Sequence, residues 1–148
     1  LPFANTIVEL DMTGYELKTV LEEALDYAIS EGGSSGAYPY ASGMRWNVDA
    51  SQPKGERFSD LEVMRKGESW TALDMNLSYK VATNDYIAGG KDGYITFGKV
   101  VKEGRVVDTY LDYAQSFVDY VIKVGTIEKL PLEEYSTQVY INKKGVQQ

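Results

Sequence analysis

The chain has 148 residues, of which 43% are hydrophobic and 25% are charged, and its net charge is −7. This length fits one folded domain, and an acidic chain without a long basic run is a poor partner for nucleic acid. The absence of Cys and His excludes a cysteine nucleophile, a Ser–His pair and a metal site of thiolates or imidazoles. No stretch approaches the roughly 20 apolar residues of a membrane span.

The first predicted element is a strand from Thr6 to Met12, where apolar and polar residues alternate. The T-G-Y-E run that follows has capping-box spacing, with Thr13 as the cap and Glu16 reaching back to it. Apolar residues at helical spacing then predict a helix to about Ser30. Its buried stripe comprises Leu17, Val20, Leu21, Ala24, Leu25 and Ala28.

Strands are predicted at 44–49, 58–64 and 78–83, the first two paired, and residues 94–97 show no clear pattern. The last helix is predicted to begin near Asp108 and to end at Gly125. Its stripe would comprise Tyr110, Ala114, Phe117, Val118, Val121 and Ile122. The predicted fold is therefore α+β, a mixed, largely antiparallel sheet with two main amphipathic helices, in one domain spanning residues 1–148.

The acidic pairs Glu22–Glu23 and Glu133–Glu134 are predicted to be solvated. No calcium-binding loop and no carboxylate pair with acid–base spacing is evident. These acids therefore predict no catalytic or metal site.

The segment at 84–94, N-D-Y-I-A-G-G-K-D-G-Y, places an aromatic residue, three glycines and an aspartate after a strand. Glycines let a ligand approach the backbone, an aromatic ring can stack on a base, and a carboxylate can accept hydrogen bonds from vicinal hydroxyls. That combination suits a nucleoside. A glycine-rich turn with one buried tyrosine and a capping aspartate explains the same residues.

The L-P-F-A-N start and the S-G-A-Y-P-Y-A-S-G loop at 35–43 are two weaker candidates. In the first, a proline-fixed turn presents Phe3 and Asn5 just before the first strand. A frayed terminus with one apolar anchor is the alternative. For the second, core packing or a surface loop is the simpler interpretation.

The order of these motifs, L-P-F-A-N-T, G-A-Y-P-Y-A-S-G-M-R-W and then Y-K-V-A-T-N-D-Y-I-A-G-G-K-D-G-Y, closely resembles the C-terminal domain of the 5'-nucleotidase family. The family includes periplasmic nucleotidases, UDP-sugar hydrolases, cyclic-nucleotide phosphodiesterases and ecto-5'-nucleotidases. The resemblance implies that this domain binds a nucleoside or nucleotide. It also implies that an N-terminal metallophosphoesterase domain, in a longer two-domain chain, carries two divalent metal ions and the catalytic residues.

The resemblance implies a role for each of five residues. Phe3 and Tyr86 would be the two aromatic plates that sandwich the base, and Asp92 would hold the ribose hydroxyls. Asn5 would contact the base edge, and Gly36 would belong to a loop that borders the pocket. By itself the chain would bind no cofactor and would be inactive, and the parent enzyme would be periplasmic, secreted or at the cell surface.

Two positions depart from the family's N-[FY]-[LIM]-A-x-G-G-D-G-[FY] run. Lys91 stands where the family has its second glycine, and Tyr86 stands where the family usually has Phe. A glycine position with positive φ would force a local change around Lys91. Two alternatives therefore stay open beside a substrate-binding domain: a self-sufficient nucleoside-binding module, and a structural domain whose pocket has decayed.

Overall fold

The computed structural model describes residues 4–148. Its strands are β1 (Thr6–Thr13), β2 (Met44–Asp49), β3 (Phe58–Val63), β4 (Thr71–Ala72), β5 (Ser78–Asn84), β6 (Val106–Asp112) and β7 (Thr137–Ile141). The α-helices are α1 (Gly14–Ile29), α2 (Asp85–Ala88), α3 (Ile95–Lys102) and α4 (Tyr113–Val124). Short 3-10 helices cover Ser35–Ala37, Lys91–Gly93 and Leu132–Glu134. None of the helices within these residues has the length and apolarity needed to cross a membrane.

The strands are divided between two sheets. The first has the order β5-β1-β6, with β1 antiparallel to both neighbours. The second has the order β4-β3-β2-β7, in which only the β2–β7 pair is parallel. The predicted α+β class with largely antiparallel pairing is confirmed. The division into two sheets was not predicted, because alternation shows which face of a strand is buried but not which strands share a ladder.

Helix α1 begins as predicted. The backbone N–H of Thr13 donates to Glu16 Oε1 at 3.0 Å, and the backbone N–H of Glu16 donates to Thr13 Oγ1 at 3.1 Å. The Glu16 carboxylate also receives two hydrogen bonds from the Arg105 guanidinium, at 2.7 and 2.8 Å. Arg105 is the main reason that the pKa of Glu16 falls to about 2. The cap of α1 is therefore tied to the chain that leads into β6.

The core is one apolar cluster shared by α1 and both sheets. It contains Val8, Leu10 and Met12 from β1 and Trp46 and Val48 from β2. The predicted stripe of α1 supplies further members, namely Leu17, Val20, Leu21, Ala24 and Leu25. Because α1 packs between the two sheets, its apolar side joins them into one folded unit.

Polar residues of α1 bond to β3 and α3, which corrects the prediction that Glu22 and Glu23 are solvated. Glu22 is only 4% exposed, and its carboxylate accepts hydrogen bonds from the backbone N–H of Phe58 at 2.8 Å and from Lys18 Nζ at 3.1 Å. Burial of a carboxylate is tolerated because these donors replace water. Glu23 contacts Thr96, at the start of α3. Phe58 and Thr96 are distant from these acids in sequence, so no local pattern signals their bonds.

The chain after residue 104 differs from the predicted single helix. Asp108 and Tyr110 lie inside β6, and α4 is capped instead by Asp112, whose Oδ1 accepts from the backbone N–H of Gln115 at 2.8 Å. Pairing of β6 with β1 satisfies backbone groups that a helix would otherwise have paired internally. The second helix that covers the first sheet is α3, with Phe97 and Val100 buried, although its sequence showed no clear pattern.

Candidate functional site

The segment after β5 is a short helix whose first turn presents an aromatic ring. Asn84 is its cap, with Oδ1 accepting from the backbone N–H of Ile87 at 3.0 Å. The cap places Tyr86 in the first turn of α2, where the side chain is 48% exposed. The alternative interpretation of this segment required one buried tyrosine and a capping aspartate. The buried tyrosine is Tyr94, the cap is an asparagine, and Tyr86 keeps much of its surface open.

The glycines serve a backbone that turns through the left-handed region. Gly90 has φ 91° and Gly93 has φ 84°, and Asp92 between them has φ 55°. An aspartate at positive φ is uncommon and stores local strain that the surroundings must hold. Lys91 is not among the residues with positive φ. Its replacement of the family's second glycine therefore requires no left-handed backbone at that position.

The turn brings Tyr86 and Asp92 together. The Tyr86 hydroxyl donates to Asp92 Oδ1 at 3.4 Å, a long hydrogen bond at the surface. The negative charge of Asp92 is the main cause that raises the pKa of Tyr86, because ionising the phenol beside a carboxylate is unfavourable. Two of the predicted site residues thus form one exposed aromatic–carboxylate pair.

Tyr94 anchors the same segment to the core and to the loop that contains Gly36. Its hydroxyl donates to the carbonyl of Ala37 at 3.0 Å, and its ring stacks on Phe97 with centroids 5.3 Å apart. Burial, with a smaller effect of Asp92, raises the pKa of Tyr94 to about 12. The predicted border loop is therefore fastened next to the pair. Gly36 itself is exposed, and a Cβ there would meet only Ser34 Oγ, at 3.4 Å.

Helix α1 packs against the strained turn that contains Asp92 and Gly93. A Cβ on Gly93 would stand 2.5 Å from Tyr27 Cβ, so this glycine is required by close packing as well as by its φ. One turn earlier, the Glu23 carboxylate accepts hydrogen bonds from the backbone N–H and the hydroxyl of Thr96, both at 2.8 Å. These supporting residues were missed by the sequence analysis. The partners Glu23 and Thr96 are 73 residues apart, too far for any local pattern.

The start of β1 contacts the start of α2, next to Tyr86. The backbone N–H of Thr6 donates to Asp85 Oδ1 at 3.1 Å, and Asp85 directly precedes Tyr86. Asn5, partly buried, is therefore near the start of α2, and its carbonyl accepts from the backbone N–H of Tyr113 at 3.0 Å. Phe3 lies outside the described residues. The structure thus gathers Asn5, Tyr86, Asp92 and the loop of Gly36 at one end of the first sheet.

An apolar groove runs along β5. Its volume is about 760 Å³, and it follows β5 with Ile87, Tyr94 and Phe97 at one end. Neither Tyr86 nor Asp92 lines it. The pair therefore lies outside this groove.

Comparison with known proteins identifies the family. The sequence model described as "5'-nucleotidase, C-terminal domain" matches residues 1–99. The chain belongs to this family. It is 41% identical over 122 residues to a probable 5'-nucleotidase of Treponema pallidum, covering 82% of this chain and 20% of that protein. It is 42% identical over 127 residues to the NAD 5'-nucleotidase of Haemophilus influenzae, covering 83% of this chain and 21% of that protein.

Solved structures of family members share the fold. The NAD nucleotidase of Haemophilus influenzae aligns over 95% of this chain and 25% of that structure, with a TM-score of 0.85 and 38% identity. The 5'-nucleotidase precursor of Thermus thermophilus aligns over 88% of this chain and 25% of that structure, with a TM-score of 0.77 and 32% identity. The chain thus spans about a fifth of the length of these curated relatives. The parent family is enzymatic, since the relatives are 5'-nucleotidases.

Metal-binding groups do not converge in the part of the chain that the structure describes. Within residues 4–148, no cluster of three or more Asp, Glu, His or Cys side chains could hold an ion. The side chains present at the candidate site offer an aromatic face for stacking and a carboxylate that accepts hydrogen bonds.

Proposed function

We propose that this domain binds the nucleoside part of a nucleotide and orients it for a metal-dependent 5'-nucleotidase reaction. The observation that carries the proposal is the exposed pair of Tyr86 and Asp92, whose hydroxyl and carboxylate oxygens are 3.4 Å apart. Tyr86 stacks on the base and Asp92 accepts hydrogen bonds from the ribose hydroxyls. Asn5 contacts the base edge, Phe3 forms the opposite plate, and the Gly36 loop borders the pocket.

The chemistry of the pair favours a nucleoside over other ligands. An aromatic face stacks on any base, because every base has a π-face, so base discrimination is low. A carboxylate matches two vicinal hydroxyls, and hydrogen bonds to an ionised acceptor are stronger than neutral ones. The Tyr86 hydroxyl contacts one Asp92 oxygen through a long hydrogen bond. Ribose hydroxyls replace this hydrogen bond with little loss of free energy.

Hydrolysis belongs to a metallophosphoesterase domain N-terminal to this one in the parent protein. Two divalent metal ions bound there would supply an activated water and neutralise charge on the phosphate. The role of the present domain is orientation, since holding the nucleoside places the 5'-phosphate for attack. We expect the isolated chain to release no phosphate. The parent protein is periplasmic, secreted or at the cell surface.

Calorimetry with adenosine on the 148-residue chain tests the proposal. Tyr86→Ala should weaken binding by about tenfold to a hundredfold, the range for loss of one base stack. Asp92→Asn should weaken adenosine binding more than binding of the free base adenine. Tyr86→Phe keeps the ring and frees Asp92 from its hydroxyl, so its affinity should equal or exceed that of the unmodified chain.

Tyr15→Ala is the matched control. Tyr15 is also an exposed tyrosine, 67% exposed, but it lies beyond the opposite end of β1. Its substitution should leave adenosine binding unchanged. Equal losses for Tyr86→Ala and Tyr15→Ala would refute the assignment of Tyr86. Adenosine binding by the unmodified chain would support a self-sufficient nucleoside-binding module, whereas its absence would favour a site that residues of the parent protein outside this chain complete.

A further inference from the structure

Within the described residues, one side of α4 is apolar and mostly exposed to solvent. We call this side the α4 face. By helical spacing, it carries five apolar residues: Ala114, Phe117, Val118, Val121 and Ile122. Phe117 is 53% exposed, Val118 46% and Ile122 74%. No residue of α4 is buried. On the α4 face, Phe117, Val118 and Ile122 are therefore large apolar side chains exposed to water, while Ala114 and Val121 are partly buried.

The side-chain hydrogen bonds of α4 lie away from this face. Asp112 caps the helix, and its carbonyl accepts from Ser116 Oγ at 2.8 Å. On the polar side, Gln115 donates to Asp119 Oδ1 at 2.9 Å. A helix of about twelve residues is marginal in water unless tertiary packing covers its apolar face. A contiguous apolar surface of this kind marks a site of interaction.

The α4 face begins at the same end of the first sheet as the candidate site. The backbone N–H of Tyr113, the first residue of α4, donates to the carbonyl of Asn5 at 3.0 Å. The next residue along the chain, Thr6, is bonded to Asp85 beside Tyr86. A nucleotide held by Tyr86 and Asp92 must present its phosphate to a second domain, so that domain has to approach this end of the sheet.

We propose that the α4 face is the docking surface for the metallophosphoesterase domain of the same polypeptide. This inference rests on the proposed function, and it adds which surface of the domain meets the catalytic one. The relatives are long enough to contain such a domain, because the matched part is only about a fifth of their chains. The partner surface is an apolar patch or groove wide enough for Phe117, Val118 and Ile122.

The charges around α4 favour a protein partner over a lipid surface. Helices that lie on membranes carry Lys and Arg along their polar side, which attract anionic lipid. The polar side of α4 has Asp119 and a single basic residue, Lys123, and the chain has a net charge of −7. An apolar face with so few basic neighbours is suited to burial against another protein surface. There the buried apolar area, rather than charge, stabilises the contact.

Site-specific photo-cross-linking in the full-length protein tests the docking surface without requiring any nucleoside. Benzoylphenylalanine in place of Ile122 should give an intramolecular adduct with a peptide of the metallophosphoesterase domain. The matched control places it at Lys123, the adjacent residue on the polar side, where the yield should be at least fivefold lower. Adducts only between copies would show a homodimer surface and overturn the proposal. Equal yields at both positions would overturn it too.

A paired substitution separates docking from nucleoside binding. Val118→Asp with Ile122→Asp should lower kcat/KM for a nucleoside 5'-monophosphate at least tenfold in the full-length protein, while adenosine affinity stays unchanged. Lys123→Ala, the control, should alter neither quantity. Unchanged kcat/KM in the double variant would refute docking through α4. If adenosine does not bind even to the unmodified protein, the proposed function fails, whereas the cross-link still reports on docking.

Discussion

Helices α1 and α4 are both amphipathic, but the apolar side of α1 is buried in the core and no residue of α4 is buried. Five apolar residues of α1 are buried in the core, and its polar side is bonded to β3 through Glu22 and to α3 through Glu23. Helix α4 has an apolar face as well, yet none of its residues is buried. Amphipathicity therefore predicts that a face will be covered, but not by which partner. For α1 the partner is this domain, and for α4 we propose another.

Core truncation should give the largest difference between the two helices. Leu25→Ala in α1 removes a fully buried side chain and should lower the free energy of unfolding by about 2 to 5 kcal/mol. Ile122→Ala in α4 changes a side chain that is 74% exposed, so the expected change is within about 0.5 kcal/mol. Urea unfolding of the chain measures both. A loss above about 1 kcal/mol for Ile122→Ala would mean that this chain covers α4 itself.

Gly93 and Gly125 have similar positive φ values but different surroundings. Gly93 packs on α1 with φ 84°, and Gly125 ends α4 with φ 79° and open space around it. Gly125→Ala should therefore cost only the strain of a side chain at positive φ, about 1 kcal/mol. Gly93→Ala adds a clash with Tyr27 and should cost about 2 to 3 kcal/mol in total. It should also weaken adenosine binding, because Asp92 is the preceding residue. Equal costs in urea unfolding would contradict the proposed role of α1 in supporting the turn.

The pH dependence of stability tests the tie between the cap of α1 and Arg105. The pKa of Glu16 is lowered from 4.5 to about 2, so the unfolded chain takes up this proton first. The contribution is full above about pH 5 and is lost as the pH falls toward 2. Because Arg105 is 31% exposed, solvent screening limits the contribution to about 1 to 2 kcal/mol.

Glu16→Gln isolates that contribution. The variant should be less stable than the unmodified chain at pH 7, and the two stabilities should converge near pH 2. Guanidinium unfolding at several pH values provides the measurement. A constant difference between the two chains across this range would assign the stability change to the hydrogen bonds of the cap rather than to the charge of Glu16.

Local chemistry explains why parts of the prediction were correct. The Thr13–Glu16 capping box and the stripe of α1 depend on residues within a few turns of one another, so the sequence predicted both. Tyr86 and Asp92 are six residues apart and meet because glycines turn the chain between them. Their proximity is confirmed, whereas their binding of a nucleoside stays a prediction. The start of the last helix was wrong, because β1 pairs with residues that would otherwise have extended α4.

The sequence by itself determined the family, the α+β class, the main helix with its cap, and the residues of the candidate pair. These properties depend on short-range periodicity and on motif order, which are visible without a structure. Tertiary structure decided the division into two sheets, the burial of Glu22, the support of Asp92 by Tyr27 and Gly93, and the exposure of α4. Each of these depends on contacts between segments far apart in sequence, where packing and mutual hydrogen bonding override what any one segment favours.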